Sequence, residues 1–97
     1  MSNVRWTPIA QSDLDDLLYY IAVEDGRPET AIKILDELLE TLDKRFSNQV
    51  PGQTHDAAPA DWSYFRFKRW LIFYQESQAH IEIMRVVDGV RDLPRTL

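Results

Sequence analysis

Residues 62–92 read WSYFRFKRWLIFYQESQAHIEIMRVVDGVRD, and the fold class turns on how this stretch is divided. Trp62 to Phe67 alternates between polar and apolar residues, Trp70 to Tyr74 is almost wholly apolar, and His80 to Val87 alternates again. In the last run Ile81, Ile83, Arg85 and Val87 stand opposite His80, Glu82, Met84 and Val86, the period of two that a strand imposes on its side chains. Aromatic and β-branched residues dominate all three runs, as they do in strands. The spacing therefore predicts three strands of an antiparallel sheet, the middle one covered on both faces. The breaks are Lys68-Arg69 and Glu76-Ser77-Gln78. Neither is a favoured two-residue turn such as Asn-Gly, so the register between strands stays open. Asp88-Gly89 closes the third strand, and residues 90–97 read as a short last strand or a tail that Pro94 would confine to a sheet edge.

Upstream the period changes from two to 3.6. Val4 and Trp6 sit on one face of a possible short strand over residues 3–6. Thr7-Pro8 is an N-cap followed by proline at the first helical position, where its missing N–H costs nothing. Leu14, Leu17, Leu18 and Ile21 then recur at i, i+3, i+4 and i+7, which makes one apolar stripe on a helix ending near Glu24. Gly26-Arg27-Pro28 interrupts, and Ala31, Ile34, Leu35, Leu38, Leu39, Leu42 and Phe46 carry a second stripe. So short a link predicts a helical hairpin. Residues 47–61 hold Pro51-Gly52 and Pro59 without any sustained period and read as a loop, long for a compact domain, with His55 expected in solvent. The fold expected is α+β: an N-terminal helical hairpin packed on an antiparallel sheet of three to four strands, one domain over residues 1–97.

Composition narrows the function. At 97 residues the chain can bury its own core. With no cysteine it has neither disulfides nor a thiolate metal site. No apolar run approaches the length of a membrane span and Met1 to Pro8 has no secretory h-region, so a cytoplasmic protein is expected. The net charge of −5 is unevenly distributed: residues 1–61 carry −7 and residues 62–97 carry +2. An acidic helical part joined to a weakly basic sheet is poorly suited to gripping nucleic acid through its phosphates and better suited to a protein partner.

No familiar catalytic pattern stands out. The three glycines, Gly26, Gly52 and Gly89, form no phosphate loop; the histidines and carboxylates show no metal spacing; the serines lack a nucleophile-elbow context. What remains is the cluster Arg66, Lys68, Arg69, Arg85 and Arg91, interleaved with Tyr64, Trp70 and Tyr74. Such a cluster has three readings: metal-free RNA cleavage, with cations stabilising charge on the phosphate; recognition of a protein; or a solvated sheet edge.

The order of motifs also resembles a known family. Ala10, Asp13, Leu14, Ile21 and Ala22 in the first helix, the run Leu71-Ile72-Phe73-Tyr74, then Ile81, Glu82, Ile83, Arg85, Val86 and Val87, and finally Arg91-Asp92, are similar to the RelE/ParE superfamily of toxins from type II toxin–antitoxin systems, and within it to the ParE branch. The resemblance covers essentially the whole chain. It implies neutralisation by a cognate, ParD-like antitoxin in a hetero-oligomer, growth inhibition, and a role in plasmid stabilisation. For the ParE branch it implies inhibition of DNA gyrase without chemistry by the toxin, and hence no catalytic residue, cofactor or metal. For the RelE branch it implies ribosome-dependent, metal-independent cleavage of mRNA. Two departures bear on the choice. RelE-type nucleases carry a catalytic arginine just before the hydrophobic residues of the central strand, where this chain has Leu71; and Asp88 stands where His or Tyr is more usual. The expectation is a non-enzymatic, ParE-like toxin with Arg66, Lys68, Arg69, Arg85, Arg91 and Asp92 as target-binding residues, Leu71 and Tyr74 as core, and no specific nucleic-acid binding.

Overall fold

The computed structural model describes residues 4–77 and 80–89. The expected last strand beyond Val90, with Arg91 and Asp92, lies outside them. Within the described residues the chain forms β1 (Val4–Trp6), α1 (Pro8–Tyr19), a π-helical turn over Tyr20–Glu24, α2 (Pro28–Ser47), β2 (Ser63–Phe67), β3 (Trp70–Glu76) and β4 (Ile81–Asp88). The four strands make one sheet in the order β1-β4-β3-β2.

The sheet is mixed, where the sequence predicts an antiparallel one. β2–β3 and β3–β4 are antiparallel, whereas β1 runs parallel to β4, with Val4 opposite Ile81 and Trp6 opposite Ile83. Periodicity places residues on faces but carries no direction, and a three-residue strand followed by two helices is not tied to its neighbour by a hairpin. The β2–β3 turn is the tight Lys68-Arg69 break, closed by Phe67 opposite Trp70. It requires Lys68 at φ +54°, left-handed backbone in which a lysine is strained. Between β3 and β4 the register shifts: Phe73 faces Arg85 while Tyr74 faces Ile83, so Met84 is the extra residue of a β-bulge.

Thr7 fastens α1 to that bulge. Its side chain accepts from the Ala10 N–H (3.1 Å), capping the helix, and donates to the Met84 carbonyl (3.3 Å), while its own N–H donates to Ile83 O (3.1 Å). At the other end the helix widens, and the Asp25 N–H reaches back five residues to Tyr20 O (2.9 Å). Such π turns displace the side chains that follow, and here Tyr19, Tyr20 and Val23 are left more than half exposed. Gly26, at φ +64°, then reverses the chain as only a residue without Cβ does freely.

Both helices pack on one face of the sheet. Ala10 and Leu14 of α1 and Leu38 and Leu42 of α2 meet Phe65, Phe67, Ile72, Tyr74, Ile83 and Val86 in one buried cluster. Of the expected α2 stripe, Leu39 departs, being about half exposed. The opposite face is also covered, which accounts for the unbroken apolar run in β3. Residues 48–62 fold across it, and Phe73 packs against Tyr64 (ring centroids 5.4 Å apart), His55 (5.9 Å) and Trp62 (6.3 Å). His55 is thus half-buried between aromatic rings, not a solvent-exposed loop residue. The loop is anchored by two backbone hydrogen bonds between Gln53 and Tyr64 (2.9 and 2.7 Å). Leu71 and Tyr74 are both buried core residues.

Candidate functional site

The cations that sequence singles out meet different fates. Lys68, on the β2–β3 turn, has its Nζ 2.7 Å from Glu37 of α2, and that contact holds the Glu37 carboxyl below its ordinary pKa. Arg69 donates to Asp88 Oδ2 at 2.6 Å; the hydrogen bond and the charge of Asp88 raise the already high pKa of its guanidinium. Arg85 is the most enclosed of the three, donating from Nε (2.8 Å) and Nη2 (3.3 Å) to Asp13 of α1, which also accepts from the Val86 N–H at 3.0 Å. Asp13 therefore occupies the bulge: it satisfies a backbone donor that the register shift would leave unpaired and fixes the arginine beside it. Arg66 is exposed like Lys68 and Arg69, and of the four it is the one without a hydrogen bond or ion pair among the described residues.

These pairs are geometric fixtures. Each joins elements far apart in sequence: the β2–β3 turn to α2, the same turn to β4, and β4 to α1. They shape the end of the molecule where Trp70 and Asp88 pair across β3 and β4. Beside them lies a cavity of about 450 Å³ with a floor of Leu17, Ile21, Ile34, Trp70 and Val86 and a rim that includes Asp13, Asp16, Asp25 and Asp88. Tyr20 of the π turn forms part of its wall. Three of the rim acids are paired, Asp13 with Arg85, Asp25 with Arg27 at 3.2 Å and Asp88 with Arg69, and Arg27 and Arg69 also line the cavity. The arrangement is an apolar groove with an acidic border, a shape that receives a side chain or a short helix better than it performs chemistry.

Nor does the arginine missing from β3 reappear elsewhere in the strand. Leu71, the residue where RelE-type nucleases carry a catalytic arginine, is an apolar, buried residue paired with Arg66 and Val87. No group of three or more His, Asp or Glu converges as a metal site among the described residues. Sequence reasoning passed over Asp13 as a partner of Arg85, because nothing in a chain of 97 residues links positions 72 apart. It also passed over Arg45, whose guanidinium lies 4.2 Å from the Phe65 ring centroid while Nη2 donates to Pro51 O (3.2 Å).

Two helices laid on one face of a small mixed sheet define the class as an α+β domain. The family described as "ParE toxin of type II toxin-antitoxin system, parDE" matches residues 4–93, and the chain belongs to that family. It is a ParE-type toxin of a type II toxin–antitoxin system. Among solved structures it is similar in fold to one titled "Chromosomal ParDE TA system from P. aeruginosa", at a TM-score of 0.69 and 20% identity, over 91% of this chain and 96% of that one. No curated protein matches the chain.

Proposed function

We propose that this ParE-type toxin acts without catalysis, by binding DNA gyrase, and that a ParD-like antitoxin encoded beside it neutralises it in the cytoplasm. The observation that carries this reading is the state of the cations. Lys68, Arg69 and Arg85 are each held by a carboxylate, and Leu71 fills the place of the nuclease arginine, so the groups a metal-free ribonuclease needs to stabilise phosphate charge and move protons are not assembled. The same groups, held on the β2–β3 turn and within β4, suit recognition of a protein surface. No helix is long and apolar enough to cross a membrane.

For the antitoxin, the acid-rimmed groove supports an amphipathic segment whose apolar side chains enter between the π turn and β4 and whose basic side chains meet Asp16 and its neighbours. The exposed Tyr19, Tyr20 and Val23 extend the apolar surface beyond the groove. The alternative, ribosome-dependent mRNA cleavage, draws its support from Arg66, which has no ion pair among the described residues.

The test is direct. Purified toxin should slow gyrase supercoiling and leave mRNA intact in a translating extract, and induced expression should arrest growth unless the product of the adjacent reading frame is co-expressed. Codon-specific cleavage lost in an Arg66→Ala variant would replace this reading with the nuclease one.

A further inference from the structure

Arg66, Leu71 and Val87 form one row across β2, β3 and β4, and the Arg66 side chain follows that row to the end of β4. A Cβ placed on Gly89 would stand 3.2 Å from Arg66 Nη2, 3.3 Å from Leu71 Cδ2 and 3.1 Å from the Arg69 carbonyl oxygen. The Gly89 N–H donates to that same carbonyl at 2.7 Å. The guanidinium thus lies over Leu71 and against the backbone of Gly89, which has no side chain to hold it off. An arginine stem covers apolar surface well, but its five N–H donors need acceptors. Among the described residues Arg66 has neither a hydrogen bond nor an ion pair.

The carboxylate next to Gly89 in the chain is already engaged, since Asp88 accepts from Arg69 at 2.6 Å. The following one is Asp92, outside the described residues. The chain bends at Gly89 and leaves the line of β4, and three residues span at most about 11 Å. A group tethered so closely is present at an effective concentration of roughly millimolar or more. Beside Arg66 opens a second cavity, of about 650 Å³, and among the described residues that line it are His55, Tyr64, Leu71 and Gly89 but no Asp or Glu. Because Gly89 is part of the lining, residues 90–97 begin at the mouth of the cavity. They bring Val90 and Leu93 to its apolar walls and Asp92 to its cation.

We propose that residues 90–97 dock in this cavity as a strap over the loop-side face, with the Asp92 carboxylate accepting from the Arg66 guanidinium. Arginine forks and carboxylates match in geometry, and such a pair fixes orientation as well as charge. The acid-rimmed groove is the other surface that adjoins the end of β4, through Asp88 on its rim. Its acids Asp13, Asp25 and Asp88 are already held by Arg85, Arg27 and Arg69, which leaves little for Arg91 or Arg95 to neutralise. Arg66, by contrast, lies against Gly89 itself. The strap pairs Arg66 and Asp92 with each other and so withdraws both from direct contact with a target. It depends on neither gyrase nor an antitoxin, and its failure leaves that reading intact.

The chain has no cysteine, so a single nitroxide can be attached by substitution: Gln53→Cys beside the cavity or Asp16→Cys on the groove rim. Paramagnetic broadening of the backbone amide resonances of Asp92, Leu93, Arg95 and Thr96 in the full chain then reports where the segment lies. The expected result is broadening several-fold stronger from the label at residue 53 than from the one at residue 16. Arg66→Gln and Asp92→Asn should each reduce it several-fold, Arg66→Asp combined with Asp92→Arg should restore it, and Lys33→Gln, outside the cavity, should leave it unchanged. Resonances of residues 4–77 serve as the folding control, and Asp92→Asn keeps the test valid if Arg66→Gln perturbs the sheet, because it alters the segment alone. Stronger broadening from residue 16 overturns the proposal in favour of the groove. Equally weak broadening from both labels overturns it in favour of an undocked segment, and undiminished broadening in Asp92→Asn overturns the pairing with Arg66.

Discussion

The two faces of the sheet are closed by different means. Toward the helices, Phe65, Phe67, Ile72, Tyr74, Ile83 and Val86 meet Leu14, Leu38 and Leu42 in an apolar core without a buried charged residue among those described. Away from the helices, Phe73 and Leu71 are just as buried, but what covers them is an irregular loop carrying His55 and Trp62, held by the Gln53–Tyr64 bridge and by side-chain hydrogen bonds from Arg45 to Pro51 O and from Gln75 to Asp61. Regular helices bring ranks of aliphatic side chains that fill space; a loop brings rings, backbone and gaps. The difference explains why stability should be concentrated on the helix side. Leu38→Ala, removing a side chain that is 1% exposed, should therefore cost about 4 kcal/mol in chemical denaturation, and His55→Ala on the other face about 1 kcal/mol, the scale of an aromatic edge contact. Equal losses would mean that the loop is as much a part of the core as α2.

The next largest effect concerns the joint between the two layers. Asp13 carries three hydrogen bonds from β4, so Asp13→Ala strands Arg85 and the Val86 N–H together. A loss of about 2–3 kcal/mol is expected. Arg85→Met in the same background should recover part of it, because the uncompensated charge disappears with the arginine. A double-mutant cycle measures the coupling, and additivity would show that the pair is not what holds the bulge in place.

That joint also marks where sequence reading stops. The helices and strands follow from stripes of Leu, Ile and Phe whose period is local, and the Thr7 cap is visible as a dipeptide. The Met84 bulge and the parallel seating of β1 depend on contacts between residues more than seventy positions apart. The π turn has no composition of its own, and it reassigns Tyr19 and Tyr20 to the surface. For the site the lesson is sharper. Arg66, Lys68, Arg69 and Arg85 look equivalent as letters, yet three are spent on Glu37, Asp88 and Asp13. Only the alternation along β2, which puts Phe65 and Phe67 inward and Arg66 outward, separates the one that has no ion pair among the described residues.

Tyr74 allows the comparison to be sharpened by pH. Its ring belongs to the helix-side core, and its buried hydroxyl lies beside Arg45 and Ser63 without a well-formed hydrogen bond among the described residues. Burial pushes the phenol pKa up, the charge of Glu76 adds to this, and Arg45 works against it. A group whose pKa is raised on folding contributes stability that is intact below its unfolded value and is lost as the pH climbs through the folded one. The wild-type protein should thus weaken above about pH 10. Tyr74→Phe should be about 1 kcal/mol more stable at neutral pH, since it removes a buried, unsatisfied hydroxyl, and its advantage should widen in alkali. Destabilisation on this substitution would show that the hydroxyl has an acceptor in solution.

The smallest effect is set by the Lys68 turn, where two opposing terms can be separated. Left-handed backbone at φ +54° costs a lysine roughly 1 kcal/mol that glycine does not pay, so Lys68→Gly should gain up to about 1 kcal/mol. Against this, the substitution removes the pairing with Glu37, whose carboxyl is held below its ordinary pKa chiefly by the hydrogen bond from Lys68. A carboxylate depressed in this way contributes stability that is present above its unfolded pKa and lost as the pH falls through the folded one. The strain term does not titrate. Denaturation at pH 7 and again at about pH 3 therefore splits the two: the gain in Lys68→Gly should be larger in acid, where the wild-type chain has lost its pair and the variant has nothing left to lose. If the gain is the same at both pH values, the exposed pair contributes nothing to the fold, and Lys68 is free to serve the target.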